Sequence, residues 1–296
     1  METRESLSRA IAVTHELQSV VKNMKALAGV NIRQCERASH AVAQYNNTIE
    51  MGLQIALQRL SSHLLPPKYP PGQKLGAVVF GSDQGMCGQL NDHVVMHASQ
   101  ALAKLAARRF DQFTIAVGAR AASQLEASGR SVEASILVPS SISGINRAVE
   151  ELLLRIEDWY LERGVQFVVL FYARPVSGAW YRVRGVRLLP VDVEWINSLK
   201  ARPWPSKVIP IFTMDEARLF QSLIREYLYS SLYRALADSL ASENASRLAS
   251  MQVAEKNIDE RLRALTAESR QLRQSTIGSE LLDIIASFEA LQGKRQ

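Results

Sequence analysis

The sequence predicts an α/β protein in which long N- and C-terminal helices, forming an antiparallel coiled coil, surround a central α/β domain. Three observations lead there. All ten prolines of the 296 residues lie between Pro66 and Pro210, leaving residues 1–65 and 211–296 without any. A proline costs about 3 kcal/mol in a helix interior, so proline-free flanks are permitted to be long helices. Eleven of the fifteen glycines lie between Gly72 and Gly185, where short apolar runs alternate with helical stretches. Both flanks instead place apolar residues at steps of three and four. The expected division is a helix over 1–65, an α/β domain over 66–210 and a helix over 211–296.

In the first flank the apolar positions are Leu17, Val20, Met24 and Leu27, then Ala38, Val42, Tyr45, Ile49, Leu53, Leu57 and Leu60. That spacing makes one stripe of a helix running from about Arg4 to Ser62, stopped by Pro66-Pro67. At 1.5 Å per residue it spans on the order of 85 Å.

The last flank opens at Thr213, expected as N-cap, with Asp215 and Glu216 in the first turn where the helix dipole favours them. Its stripe runs through Leu219, Leu223, Leu228, Leu232 and Ala235 to Ile258, Leu262, Leu265 and Leu272. It ends in the apolar series Ile277, Leu281, Ile284, Phe288 and Leu291. A narrow stripe on so long a helix needs a partner, and the two flanks supply each other with one. Asn31, Gln34, Ser269 and Thr276 interrupt the stripes, which also suits a rod held inside a large enveloping partner.

The middle reads as strands at Leu75–Phe80, Phe113–Val117, Ser135–Val138 and Val165–Tyr172, with helices at Asn91–Ala107, Ala119–Ala127 and Ile142–Glu162. Strands alternating with helices imply a largely parallel sheet, here a small Rossmann-like domain. Tyr181–Val193 adds an edge strand.

Composition excludes other classes. Apolar and charged fractions of 47% and 22% are those of a globular chain. The net charge of +6 comes without a basic cluster or arm, so nucleic acid is not the expected partner. Cys35 and Cys87 stand apart in no metal or redox spacing and are expected as reduced thiols. The N-terminus reads as neither signal nor transit peptide, and no run reaches the length of a membrane span.

Signals of chemistry are weak. The turn Gly81–Asn91 (G-S-D-Q-G-M-C-G-Q-L-N) has neither the dinucleotide fingerprint nor a P-loop lysine, so its glycines read as packing and turn residues. His93 and His97 lie at i, i+4 but lack a companion glutamate, and a packing role is expected. Asp83 and Cys87 have no local histidine base. No catalytic residue, cofactor site or metal site is expected.

Four motifs carry a family resemblance. F-G-S-D-Q-G-M-C-G-Q-L-N (Phe80–Asn91) closely resembles the S-[TD]-[DS]-[RQ]-G-L-C-G-x-[FL]-N signature of the γ subunits of F-type ATP synthases. S-E-N-A-S-R-L-A-S-M-Q-V-A-E-K-N (Ser242–Asn257), R-Q-S-T-I-G-S-E-L-L-D-I (Arg273–Ile284) and V-V-K-N-M-K-A-L-A (Val20–Ala28) are similar to three further motifs of that family, in family order. The resemblance implies a rotor shaft, whose coiled-coil tip sits in a hexamer of α and β subunits. The α/β domain stays outside, near the ε subunit and the membrane c-ring. It implies one copy per complex, no catalysis by the chain itself and a peripheral place on the cytoplasmic face of a bacterial membrane.

Position by position, the resemblance implies rotor–stator contacts at Lys22, Met24, Arg273, Gln274 and Glu280, with Ile277, Leu281, Ile284, Phe288 and Leu291 as an apolar bearing tip. The chain departs from the family at Gly278 (usually Thr), Asn31 (usually Lys) and Gln89 (usually Gly), which fits a divergent branch such as a sodium-coupled one. No extra cysteine-bearing insert of the redox-regulated chloroplast kind is present, so the thiols are not expected to form a switch. Two other readings stay open on the residues alone: a coiled-coil tether carrying an α/β interaction domain, and a small-molecule enzyme built on that domain.

Overall fold

A computed structural model of the chain describes residues 4–59, 74–106, 111–176, 180–191, 193–205, 207–208 and 210–292; side chains at 58, 59, 106, 193, 194, 283 and 286–292 are not among those described. The elements, in order, are α1 (Arg4–Arg59), β1 (Lys74–Phe80), α2 (Leu90–Ala106), β2 (Asp111–Val117), α3 (Ala119–Ala127) and β3 (Ala134–Ile136). A 3₁₀ turn (Ile142–Gly144) then leads to α4 (Ile145–Leu161), β4 (Val165–Pro175), β5 (Tyr181–Leu189), α5 (Val193–Ala201) and α6 (Glu216–Gln292). The fold is mixed α/β, with long terminal helices flanking a mostly parallel sheet. Leu60 and the Pro66-Pro67 stop lie outside the described residues.

The sheet runs β3-β2-β1-β4-β5; β1 pairs in parallel with β2 and β4, β2 with β3, and β5 lies antiparallel on β4 at the edge. Both faces are covered, so the central strands carry continuous apolar runs, Leu75–Phe80 in β1 and Phe167–Ala173 in β4, rather than alternating. One face packs on α2 and α3 through Ala77, Val79, Phe171 and Leu90. The other packs on α4, α1 and α6 through Val78, Phe80, Leu170, Trp159, Cys35 and Leu236.

The chain forms two compact units: α1 through Leu27 with α6 from Ala249 on, and Ala28–Leu248. In the second unit α6 is buried on every side from Ala235 to Ser246. Its sequence there, A-L-A-D-S-L-A-S-E-N-A-S, is mostly small residues, which let a helix be enclosed by close neighbours. Ser39 Oγ donates to Asp238 Oδ1 (2.7 Å) and Ser230 Oγ to Asn46 Oδ1 (2.7 Å), so α1 and α6 run antiparallel. In the first unit Gln18 Nε2 donates to Asp259 Oδ1 and Lys25 Nζ to Glu255 Oε2, each at 2.6 Å, again antiparallel.

Several expectations are corrected. Asp215, not Thr213, caps α6, its Oδ2 accepting the N–H of Ala217 and Arg218 at 3.1 and 3.2 Å. The edge strand ends at Leu189 and Val193 begins α5, which buries Ile196 and Leu199 against Leu53 and Leu57 of α1. The expected stripe of α1 is not the seam in the first unit: Leu17, Val20 and Leu27 are exposed, while Leu7 is buried. Gln18 and Lys25 occupy the seam, because cross-helix pairs to Asp259 and Glu255 satisfy their polar ends.

Candidate functional site

The turn after β1 is a hub of side-chain to backbone bonds. The Asn91 carbonyl oxygen accepts the Ser82 N–H (2.9 Å) while its amide donates to Ser82 Oγ (2.8 Å), closing the turn onto the start of α2. Asp83 accepts the Ala119 N–H at 2.8 Å and the Val138 N–H at 2.9 Å, so one carboxylate holds the first turn of α3 and the segment after β3. A Cβ on Gly81 would sit 2.5 Å from Ala121 Cβ, and Gly118 has φ +112° against the Ser82 backbone. Both sites demand glycine. The packing reading of this loop is therefore what the geometry displays.

The hub reaches α6. Ser246 Oγ donates to the Cys87 carbonyl at 2.6 Å, joining the S-E-N-A-S-R stretch to the signature turn. One turn earlier, Glu243 is buried and accepts from Arg247 Nη2 at 2.6 Å; its second oxygen has no hydrogen-bond partner among the described residues. Burial pushes the Glu243 carboxyl up, Arg247 opposes the shift and the charge of Asp83 adds to it. Cys87 Sγ lies in the same knot, 3.5 Å from Asn91 Nδ2 and from Ser82 Oγ. Sequence reasoning saw each motif but not that they touch; a serine in a small-residue helical run was the only signal.

Two histidines have packing partners: His93 Nδ1 is 2.9 Å from Tyr181 Oη, and His97 meets the Phe171 ring edge-on at 6.2 Å. Among the described residues no group of three or more His, Cys, Asp or Glu side chains could hold a metal ion. Nor is any helix long and apolar enough to cross a membrane.

The contact residues implied by resemblance all fall in the first unit. Lys22 is exposed and Met24 half-buried on α1; Arg273, Gln274 and Glu280 are exposed on α6. Continued one residue per residue from Gln18–Asp259 and Lys25–Glu255, the pairing brings Arg4 opposite Arg273–Thr276. Lys22 thus stands about 27 Å along the coiled coil from the level of Arg273. The set forms two levels, not one patch. Ile277, Leu281 and Ile284 are exposed and run past the described part of α1, whereas the side chains of Phe288 and Leu291 lie outside the described residues. Gly278 has open space where a Cβ would be, and Gln89 is exposed.

A family model described as ATP synthase matches residues 3–291. The ATP synthase gamma chain of Thermobifida fusca is 26% identical over 290 residues, covering 96% of this chain and 94% of the relative. That of Nostoc sp. is 26% identical over 321 residues, covering 98% of this chain and all of the relative. A chain in the Euglena gracilis mitochondrial ATP synthase structure (OSCP/F1/c-ring, rotational state 3) superposes with a TM-score of 0.64 at 14% identity, covering 99% of this chain and 96% of that one. With the model match spanning almost every residue, the chain belongs to the ATP synthase family, as one of its gamma chains.

Proposed function

We propose that this chain is the central rotor shaft of a rotary F-type ATP synthase, coupling ion flow through the membrane ring to ATP synthesis or hydrolysis on the β subunits. The observation that carries the reading is in the first unit. Val13, Leu17, Val20 and Leu27 of α1 are exposed at helical spacing, as are Ile277, Leu281 and Ile284 of α6. A pair of helices with its seam already filled and apolar stripes left outside suits a sleeve that encloses it. The α and β subunits would form that sleeve, with Lys22, Met24, Arg273, Gln274 and Glu280 at the rotor–stator contacts.

Such a shaft performs no chemistry. It favours a different β conformation at each angle, so rotation and nucleotide affinity are linked by differential binding. The bond from Ser246 to Cys87 and the burial of Ala235–Ser246 fasten α6 to the sheet, so torque on the helix moves the α/β domain with it. That domain would meet the ε subunit and the c-ring, one copy of the chain serving each complex, peripherally on the cytoplasmic face of a bacterial membrane.

The test is an assembled complex carrying Arg273→Ala with Gln274→Ala. ATP turnover should fall while the far-UV helicity of the isolated chain is unchanged. Unaltered turnover overturns the contact assignment. Failure of the native chain to co-purify with α and β subunits overturns the shaft.

A further inference from the structure

A third core in the second unit is distinct from those on the two sheet faces. Ile49, Leu53 and Leu57, a stripe of α1 at steps of four, are buried with Ile196 and Leu199 of α5. Phe220 and Leu223 of α6 pack against them, half-buried. α1 and α6 also touch each other here, for a Cβ on Gly52 would lie 3.0 Å from Leu223 Cδ2. Three helices therefore meet at this level.

α5 is attached to both of its neighbours by more than this core. The Trp195 ring lies on Tyr227 of α6, with centroids 4.7 Å apart and planes at 35°, close enough to add a specific aromatic contact to the buried area. Just past the C-terminus of α5, Arg202 is held twice by α1. Its Nη1 donates to Glu50 Oε2 at 2.9 Å, and its carbonyl accepts from Gln54 Nε2. Glu50 and Gln54 are one turn apart and so share a face of α1. Gln54 is buried, and its amide and a carbonyl beyond a helix end satisfy each other.

The element that grips the helix pair is also chained to the sheet, since only three residues separate α5 from edge strand β5. The core on the sheet takes in α6 from Leu228 onward, and Ser246 fastens it to the Cys87 turn. Tyr227 and Ser246 stand about 28 Å apart along α6. A rod held at one level can tilt and roll on its support, and a second hold well separated from the first resists both motions. We propose that α5 is a torsion brace. Through Ile196, Leu199 and the grip of Glu50 and Gln54 on Arg202, it keeps α1 and α6 from rolling on the sheet, so that an angle imposed on the α/β domain is passed on to the helices. Glu50, Gln54 and Arg202 are then positioning residues for rotary coupling. The inference deepens the shaft reading and rests on it.

Angular fluctuation in the assembled complex tests it, with the α and β subunits fixed to a surface, a bead on the α/β domain and rotation stalled by a non-hydrolysable ATP analogue. Two comparable holds share the restraint, so Ile196→Ser with Leu199→Ser, which removes one of them, should raise the variance of the bead angle about twofold. The half-exposed ion pair supplies a variant that leaves the apolar core intact. Arg202→Glu should widen the fluctuations, and adding Glu50→Arg should narrow them again. Unchanged variance in both the serine pair and Arg202→Glu, at native ATP turnover, overturns the brace and leaves the shaft standing. Widening that the charge swap fails to reverse overturns the grip on Arg202. A native complex whose bead never turns with ATP overturns the shaft, and the brace with it.

Discussion

The hydroxyl of Ser246, on α6, donates to the carbonyl of Cys87, in the turn after β1, at 2.6 Å and out of reach of solvent. Two motifs that the sequence separates by more than half the chain are thus one structural feature. Among the described residues the same carbonyl otherwise receives a long 3.4 Å bond from the Leu90 N–H. Ser246→Ala should therefore cost about 1 kcal/mol, since the acceptor keeps a weak partner. Ser246→Val should cost about 2–3 kcal/mol, because it adds bulk to a helix enclosed on all sides. Urea unfolding of the full chain measures both, and equal stabilities for the two variants and the native chain would show that the contact holds nothing.

Glu243 makes stability depend on pH. Burial raises its carboxyl above the ordinary 4.5, so the folded chain holds that proton more tightly than the unfolded chain. The stability this contributes is complete below about pH 4.5 and is lost as the pH rises through the raised value. Glu243→Gln keeps an acceptor for Arg247 but has no proton to lose. The stability of the variant relative to the native chain should rise between acid and neutral pH. Asp238, raised in the same direction by its own burial, is present in both chains and cancels. Parallel curves of urea midpoint against pH would remove Glu243 from the explanation.

The thiols should be silent in the folded chain. Burial first, then the charges of Glu243 and Glu36, push the Cys35 thiol up to about 12. Such a group is almost entirely the protonated thiol at pH 8, and the thiolate is the reactive form. Cys87 is sealed by the Ser82–Asn91 knot at 1% exposure. Iodoacetamide should label neither cysteine in the native chain and both after denaturation in urea. Rapid native labelling of Cys35 would show that α1 opens locally.

How much was legible follows from what periodicity can encode. Proline placement and apolar spacing found both long helices, and unbroken runs such as V-V-L-F found strands covered on two faces. Periodicity marks a stripe without naming what covers it. Leu17, Val20 and Leu27 therefore read as the seam, although Gln18 and Lys25 occupy it through cross-helix partners that no single segment reveals. α5 was hidden for a similar reason: Val191 and Val193 extend an apolar strand pattern, and only packing of Ile196 and Leu199 on α1 makes that segment a helix. In the signature turn the glycines were read as packing residues, and their neighbours Ala121 and Ser82 now supply the reason. The Ser246–Cys87 bond, joining residues distant in sequence, had no local signature.

Gly278 offers a gain rather than a loss. It lies inside α6, and a Cβ there would meet nothing within 4 Å. Glycine costs a helix interior about 1 kcal/mol relative to alanine. Gly278→Ala should slow amide exchange around position 278 about fivefold, the equivalent of that energy for local opening. Unchanged protection would mean the segment's opening is set by something other than helix propensity.

The exposed stripe on α1 separates folding from assembly. Leu27 is 65% exposed and Val20 52% exposed, so Val20→Ser with Leu27→Ser removes apolar area of which the isolated chain leaves more than half in solvent. Stability in urea should change by no more than about 0.5 kcal/mol per site. In a complex where a sleeve of α and β subunits covers that stripe, the same loss weakens the fit, and ATP turnover or recovery of the assembled complex should fall. Lys25→Ala gives the opposite pattern, because it removes the 2.6 Å pair with Glu255 inside the seam and acts on the isolated chain first. If the serine pair destabilised the lone chain and left the complex at full turnover, the stripe would belong to the fold, and the sleeve would have to lie elsewhere.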